Sequence, residues 1–314
     1  MIITTTPVSR DLGDDALPTT TTSAVTTSTT STSVVPPGPE ATVPPAVGAL
    51  LTPSGVVVAM LADTGSGYRV RTPCGVETSI QGGEPIEGVD VVIDPGHGGA
   101  TDPGAVGSNG LSESELNLRL AREVQSLLEG EGVVAILTRT SDYGSTLGVR
   151  SALADHVGAR LMVSIHHNAP TPGRSDRPGT EVFVQSNSEE SRRLGGLLYE
   201  SIVTGLSTFD IAWTAAPDAG VLEVLNTRGT DAYGMLRNPE TVTALAELGY
   251  LSSRPEAELF DTAEYARVAA EAVVSAIVDY LEDDSNVGRA PEGLRVFNPQ
   301  PGVSGGACEE PDLG

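Results

Sequence analysis

From about Gly88 onward, apolar positions along the chain switch between two spacings. Short apolar runs at Asp90–Ile93, Val133–Leu137, Leu161–Ile165, Thr180–Val184, Val221–Leu225 and Val242–Leu248 predict buried strands. Between them, Glu113–Leu128 sets Leu116, Leu120, Val124 and Leu127 on one helical face. Further helices are predicted at Leu147–Val157, Ser188–Leu206 and Ala263–Leu281, with Gly195-Gly196 weakening the middle one. This alternation predicts an α/β fold: a mixed, mostly parallel central sheet flanked by helices. Upstream, Val56–Leu61 and Tyr68–Val70 are strand-like runs separated by Gly/Ser/Thr turns. Residues 48–88 therefore read as a small β-rich N-terminal extension. No run reaches the ~18 apolar residues of a membrane span; the longest, Val47–Ala62, is broken by Pro53 and Gly55.

Composition changes this picture at both ends. Residues 1–45 hold 13 Thr, 5 Ser and 7 Pro, and no aromatic residue precedes Tyr68. Such a segment buries too little apolar area to offset its ordering entropy, so residues 1–47 are expected to be a disordered spacer. Thr/Ser/Pro tracts suit stalks outside the cell, which favours export. Beyond Asp284 the chain turns rich in Gly and Pro, leaving 89–284 as the main domain and 285–314 as a tail. Met1 is not followed by a basic region and an apolar core, so the expectation is either a cytoplasmic chain or a start downstream of a leader.

Charge and cysteine content exclude several functions. The chain carries 42 acidic residues against 18 basic ones, all Arg, for a net charge of −24. Nucleic acids and anionic membranes need positive patches, so neither is an expected partner. Only Cys74 and Cys308 occur, which excludes zinc ribbons and iron–sulfur clusters. The two can form one disulfide if the chain is exported, or remain thiols.

Three strand ends carry candidate chemistry, and open α/β sheets bind ligands there. His97 follows the strand ending at Ile93, among Gly96, Gly98 and Gly99, where it can bind a metal or move a proton. Leu161–Ile165 runs into His166-His167-Asn168. Alternation sends the two His to opposite faces, and spacing alone does not choose between them. Glu247 is a lone carboxylate near the end of an apolar strand, where a raised pKa would suit a general base. Glu113 shares the core-facing side of its helix with Leu116 and Leu120, whereas Glu115 points away. Two His and one Glu with an open fourth position form a catalytic zinc set, and a further Glu can act as its base.

Taken together and in order, four segments resemble the zinc-dependent N-acetylmuramoyl-L-alanine amidases of the amidase-3 type. They are Val92–Gly99 continuing to Asp102–Ala105, Gly110–Glu113 with Asn117-Leu118, Ser164–Asn168, and Ala244–Ser252; Leu137–Arg139, Asp142 and Arg150 also fit. The resemblance spans about Val91 to Leu281. It implies one Zn2+ per chain on His97, Glu113 and His166, with His167 at a variable position and Glu247 as the catalytic carboxylate. It implies hydrolysis of the bond between N-acetylmuramic acid and L-alanine in peptidoglycan; with the Thr/Ser/Pro stalk, that substrate leads us to expect export to the extracellular or cell-envelope space, and the chain is expected to be a monomer. Asn168 would orient substrate or the His166 loop, or be structural; Asp102 and Arg139 would fix loops, and His156 would have no catalytic role. No repeated wall-binding module follows the domain, the Pro172–Gly179 loop is short, and no long helical insertion is visible, so an open site is expected. Two rivals are a zinc peptidase acting on other amides and a non-catalytic wall-binding domain. Nucleotide binding at the His97 loop is disfavoured, because the chain has no Lys and the loop lacks a phosphate-cradling pattern.

Overall fold

The computed structural model describes residues 48–170, 172–297 and 308–314, so the spacer expected at 1–47 lies outside the described residues. The first strands are β1 (Ala49–Leu51), β2 (Val57–Asp63), β3 (Tyr68–Arg71), β4 (Glu77–Ile80) and β5 (Glu84–Ile86). They form an antiparallel sheet in the order β4-β3-β2-β1-β5. The chain continues through β6 (Val91–Pro95), α1 (Glu113–Gly130), β7 (Ala135–Leu137), α2 (Leu147–Val157), β8 (Leu161–Asn168), β9 (Arg174–Ser175) and β10 (Glu181–Val184). It then forms α3 (Glu189–Leu206), β11 (Trp213–Thr214), β12 (Val221–Leu225), α4 (Gly234–Arg237), β13 (Thr243–Tyr250), α5 (Arg254–Phe260), α6 (Ala263–Glu282) and β14 (Gly293–Val296).

The main sheet is mixed, as expected, in the order β14-β12-β10-β13-β8-β6-β7. Neighbours pair in parallel except β10 with β13, so two parallel blocks meet along one antiparallel seam. Strand alternation divides the core. Leu161, Val163 and Ile165 of β8 join the side chains of α1, α3 and α6 on one face. Met162 faces the other way, toward α2, α4 and the small sheet's Val57 and Ala59.

Helix α1 begins where Ser112 accepts a hydrogen bond from Glu115 N, and Glu113 and Glu115 complement the helix dipole. Strands β8 and β13 run past their expected ends, taking His166–Asn168 and Gly249-Tyr250 into the sheet. The segment expected as a tail instead supplies the edge strand β14, parallel to β12. Its Leu294 and Val296 are exposed. The strand is held by backbone pairing and by Arg295, which leaves no hydrophobic period to read.

The Gly195-Gly196 pair, a weak point for a helix, allows close packing here. A Cβ on Gly195 would lie 2.2 Å from Val184 Cγ1 of β10, and one on Gly196 would lie 2.5 Å from Arg289 O. In Gly195→Ala, better helix propensity contributes up to about 1 kcal/mol, while overpacking costs about 1–3 kcal/mol. Urea unfolding is expected to show a net loss of stability; an unchanged or raised midpoint would exclude this packing.

Candidate active site

Strands β6, β8 and β13 run parallel, so their carboxyl ends bring His97, His166 and Glu247 to the same end of the sheet. Asp94 lies opposite Ser164 in the β6/β8 register. Its buried carboxylate accepts hydrogen bonds from Thr138 Oγ1, from Ser164 Oγ at 2.7 Å, and from Arg150 at 3.2 Å. Burial works against its charge, but Arg150 and the two hydroxyls hold its pKa below the ordinary value.

Two arginines fix the loop that follows. Arg150 donates to the carbonyls of Pro95 and His97 at 3.0 and 2.7 Å. Arg139, fully buried, donates to the carbonyls of Pro95, Gly96, Ser114 and Ser141. Removing Asp94 leaves the Arg150 charge buried without its partner, which costs about 3–5 kcal/mol. Asp94→Ala is therefore expected to lose that much in chemical denaturation, and a loss below about 1 kcal/mol would contradict the network.

The loop geometry requires glycine in two places. His97 itself has φ of 63°, an uncommon conformation for a residue with a side chain, held here by the arginine bonds. A Cβ on Gly96 would lie 2.2 Å from the His166 ring. Gly104 combines φ of 68° with a virtual Cβ 2.5 Å from Glu113 Oε2.

His97, Glu113 and His166 converge, with one ligand atom from each lying within 4.8 Å of the others. Glu113 Oε1 is 3.2 Å from His97 Nε2 and 2.9 Å from His166 Nδ1. Backbone amides anchor the same carboxylate: Ala105 N donates to Oε2 at 2.9 Å and His167 N to Oε1 at 3.2 Å. On the far side of its ring, His97 Nδ1 donates to Asp102 Oδ1 at 2.7 Å. Burial disfavours a charged His97, but its bonds to Asp102 and Glu113 raise its pKa to about 10. Burial likewise opposes the Glu113 charge, yet His166 and His97 hold its pKa well below the carboxylate range.

His167 takes the other face of β8, as alternation requires. It is buried, with Nδ1 2.8 Å from Asn117 Oδ1 and Nε2 2.5 Å from Tyr265 Oη. Burial lowers its pKa to about 3, so the ring is neutral. Asn117 also donates to Gly96 O, which ties this apolar-side network to the His97 loop.

Glu247 pairs across strands with His166 on one side and Glu181 on the other. Its Oε2 is buried and has no hydrogen-bond partner among the described residues. Burial, and then the Glu113 and Glu181 charges, push its pKa well up. Glu181 was not anticipated, although it is an acid in an apolar strand just as Glu247 is. It accepts from Tyr250 Oη at 3.0 Å, from Asn168 Nδ2 and from Arg295 of β14. Asn168 is thus committed to Glu181, Asp102 contacts His97 directly, and Arg139 braces loops. Glu115 is exposed, and His156 Nε2 reaches Met60 O at 3.0 Å, joining α2 to β2. A cavity of about 830 Å3 opens beside His97 and His166, with Asp102 and Asp142 on its lining.

Comparison with known proteins gives a consistent result. The family model described as N-acetylmuramoyl-L-alanine amidase matches residues 91–279. The uncharacterized protein YqiI of Bacillus subtilis strain 168 is 36% identical over 221 residues, covering 68% of this chain and 98% of its own length. N-acetylmuramoyl-L-alanine amidase AmiA of Escherichia coli K12 is 29% identical over 221 residues, covering 61% of this chain and 75% of that protein. Among solved structures, the amidase AmiC2 of Nostoc punctiforme superposes with a TM-score of 0.53 at 31% identity, over 63% of this chain and 99% of that one. The N-acetylmuramoyl-L-alanine amidase from Clostridium difficile 630 gives 0.54 at 26% identity, over 64% and 100%.

Proposed function

The chain belongs to the N-acetylmuramoyl-L-alanine amidase family, and on that footing we propose how its own residues carry out the hydrolysis: Zn2+ is held by His97, Glu113 and His166, and Glu247 is the general base. The bond cut joins the lactyl group of N-acetylmuramic acid to L-alanine of the peptidoglycan stem peptide.

The observation that carries this reading is the convergence of two imidazole nitrogens and one carboxylate oxygen beside a buried, unpartnered carboxylate oxygen. Two imidazole nitrogens and one carboxylate oxygen are donor types that Zn2+ takes, and the three lie close enough together to share one ion. Asp102 on His97 Nδ1 orients the ring so that Nε2 faces Glu113. Bound there, Zn2+ would supply Lewis acidity for the scissile carbonyl and would lower the pKa of water toward about 7.

The protein's side chains supply the rest. Glu247 takes the proton of the attacking water at Oε2 and returns it to the leaving amine of L-alanine. Its burial and its acidic neighbours strengthen it as a base. Glu113 stays ionised, and Ala105 N and His167 N hold it in place. Residues 89–284 make up the catalytic domain, with one zinc per chain in a monomer. No helix among the described residues is long and apolar enough to cross a membrane. The Cys74–Cys308 disulfide suits an oxidising compartment, which supports export to the cell envelope, where the substrate lies.

Digestion of purified peptidoglycan is expected to release stem peptides with new L-alanine amino termini. Equal cleavage of plain alanine peptides that lack muramic acid would point to a zinc peptidase instead, and no cleavage to a binding domain.

A further inference from the structure

We infer that the C-terminal segment Cys308–Pro311 is a wall of the substrate cleft, and that its Glu309 selects stem peptides bearing a primary ammonium. The inference rests on the amidase reading above. The segment lies outside the family match at 91–279, so it is a feature of this chain added to the shared domain.

The placement is specific. Cys308–Pro311 lines the same cavity as His97 and His166. Two turns of the small sheet hold it there. At the first, Cys308 is disulfide-bonded to Cys74, while Glu310 accepts from Thr72 Oγ1 at 2.5 Å and from Cys74 N at 3.4 Å. At the second, Ser54 Oγ donates to Asp312 O at 2.6 Å. Leu313 then packs against the small sheet's own apolar cluster. The Thr72–Gly75 turn also braces the adjoining loop of the cavity lining, because Ser145 Oγ and Thr146 N both donate to Pro73 O. The small sheet thereby fixes both Cys308–Pro311 and the neighbouring Ser145-Thr146 loop at the cavity.

The lining favours a cation. Glu310 is fully committed to its anchors, whereas Glu309 is exposed and makes no hydrogen bond or ion pair among the described residues. Arg150 also borders the cavity, but its guanidinium is committed to Asp94 and to the carbonyls of Pro95 and His97. A primary ammonium on a stem-peptide side chain would therefore find an uncommitted carboxylate and, among the described residues, no uncommitted arginine on the lining. An exposed pair of this kind is worth a modest factor and weakens as salt screens it.

The test uses two soluble muramoyl pentapeptides that carry lysine, one with its side-chain amine free and one with it acetylated. The full-length protein is expected to show a KM about two- to five-fold lower for the free amine. Glu309→Gln should bring the KM ratio toward one, with the effect shrinking at high salt. The paired substitutions Cys74→Ser and Cys308→Ser should do the same, because the wall loses its tether. If the protein cleaves both substrates and the ratio is the same in Glu309→Gln, the selectivity is wrong and the amidase reading stands. If neither substrate is cleaved, the amidase reading fails and the inference falls with it.

Discussion

Glu247→Gln is expected to lower kcat on muramoyl peptides by about 10²–10⁴-fold, the usual contribution of a positioned proton-transfer group. The substitution keeps size and shape but removes the only function that the account gives this side chain, accepting a proton at Oε2. The strand around it gives no other reason for a charge: its register neighbours are His166 and Glu181, and burial raises its pKa. A purely structural carboxylate would be hydrogen-bonded when buried, and Oε2 has no such partner among the described residues. The variant should fold and keep its metal, as read by circular dichroism and zinc content. Undiminished turnover would remove Glu247 from the mechanism.

The second large effect is on metal affinity. His97→Ala deletes a ligand, and its zinc affinity should fall by more than about 100-fold, beyond the upper end of what supporting residues cost. Asp102→Asn keeps all three ligands but weakens the hold on His97 Nδ1. Its affinity should fall by about 10–100-fold, the range measured for such outer partners. Competition with a zinc-binding dye measures both without any turnover. The order matters as much as the size. If Asp102→Asn binds as tightly as the native chain, the 2.7 Å contact does not orient the ligand. If His97→Ala does so, His97 is not a ligand.

Much of this arrangement was legible in the chain itself, for physical reasons. Period-two alternation separated His166 from His167, although only the fold shows that His167 lies on the apolar side with Asn117 and Tyr265. Helical spacing placed Glu113 on the core side of α1, and it is buried there. The expected Leu147–Val157 and Val221–Leu225 runs match α2 and β12, and in the structure Thr146 and Gly158 cap the helix. Other parts have no local signal. Glu181 acquires its role only when the antiparallel β10/β13 seam sets it beside Glu247. Strand β14 exposes its apolar residues and turns Arg295 inward, the reverse of the usual pattern. The two cysteines are 234 positions apart, and nothing near either one announces that they meet at the rim of the cleft. Long-range pairing of this kind depends on topology, and a scan of neighbouring residues does not see it.

Anomalous diffraction at the zinc edge from crystals of the zinc-loaded protein tests the central assignment most directly. One peak per chain is expected, about 2.0–2.2 Å from His97 Nε2, Glu113 Oε1 and His166 Nδ1. A zinc-loaded crystal with no peak there, or with its zinc on other residues, would contradict the account.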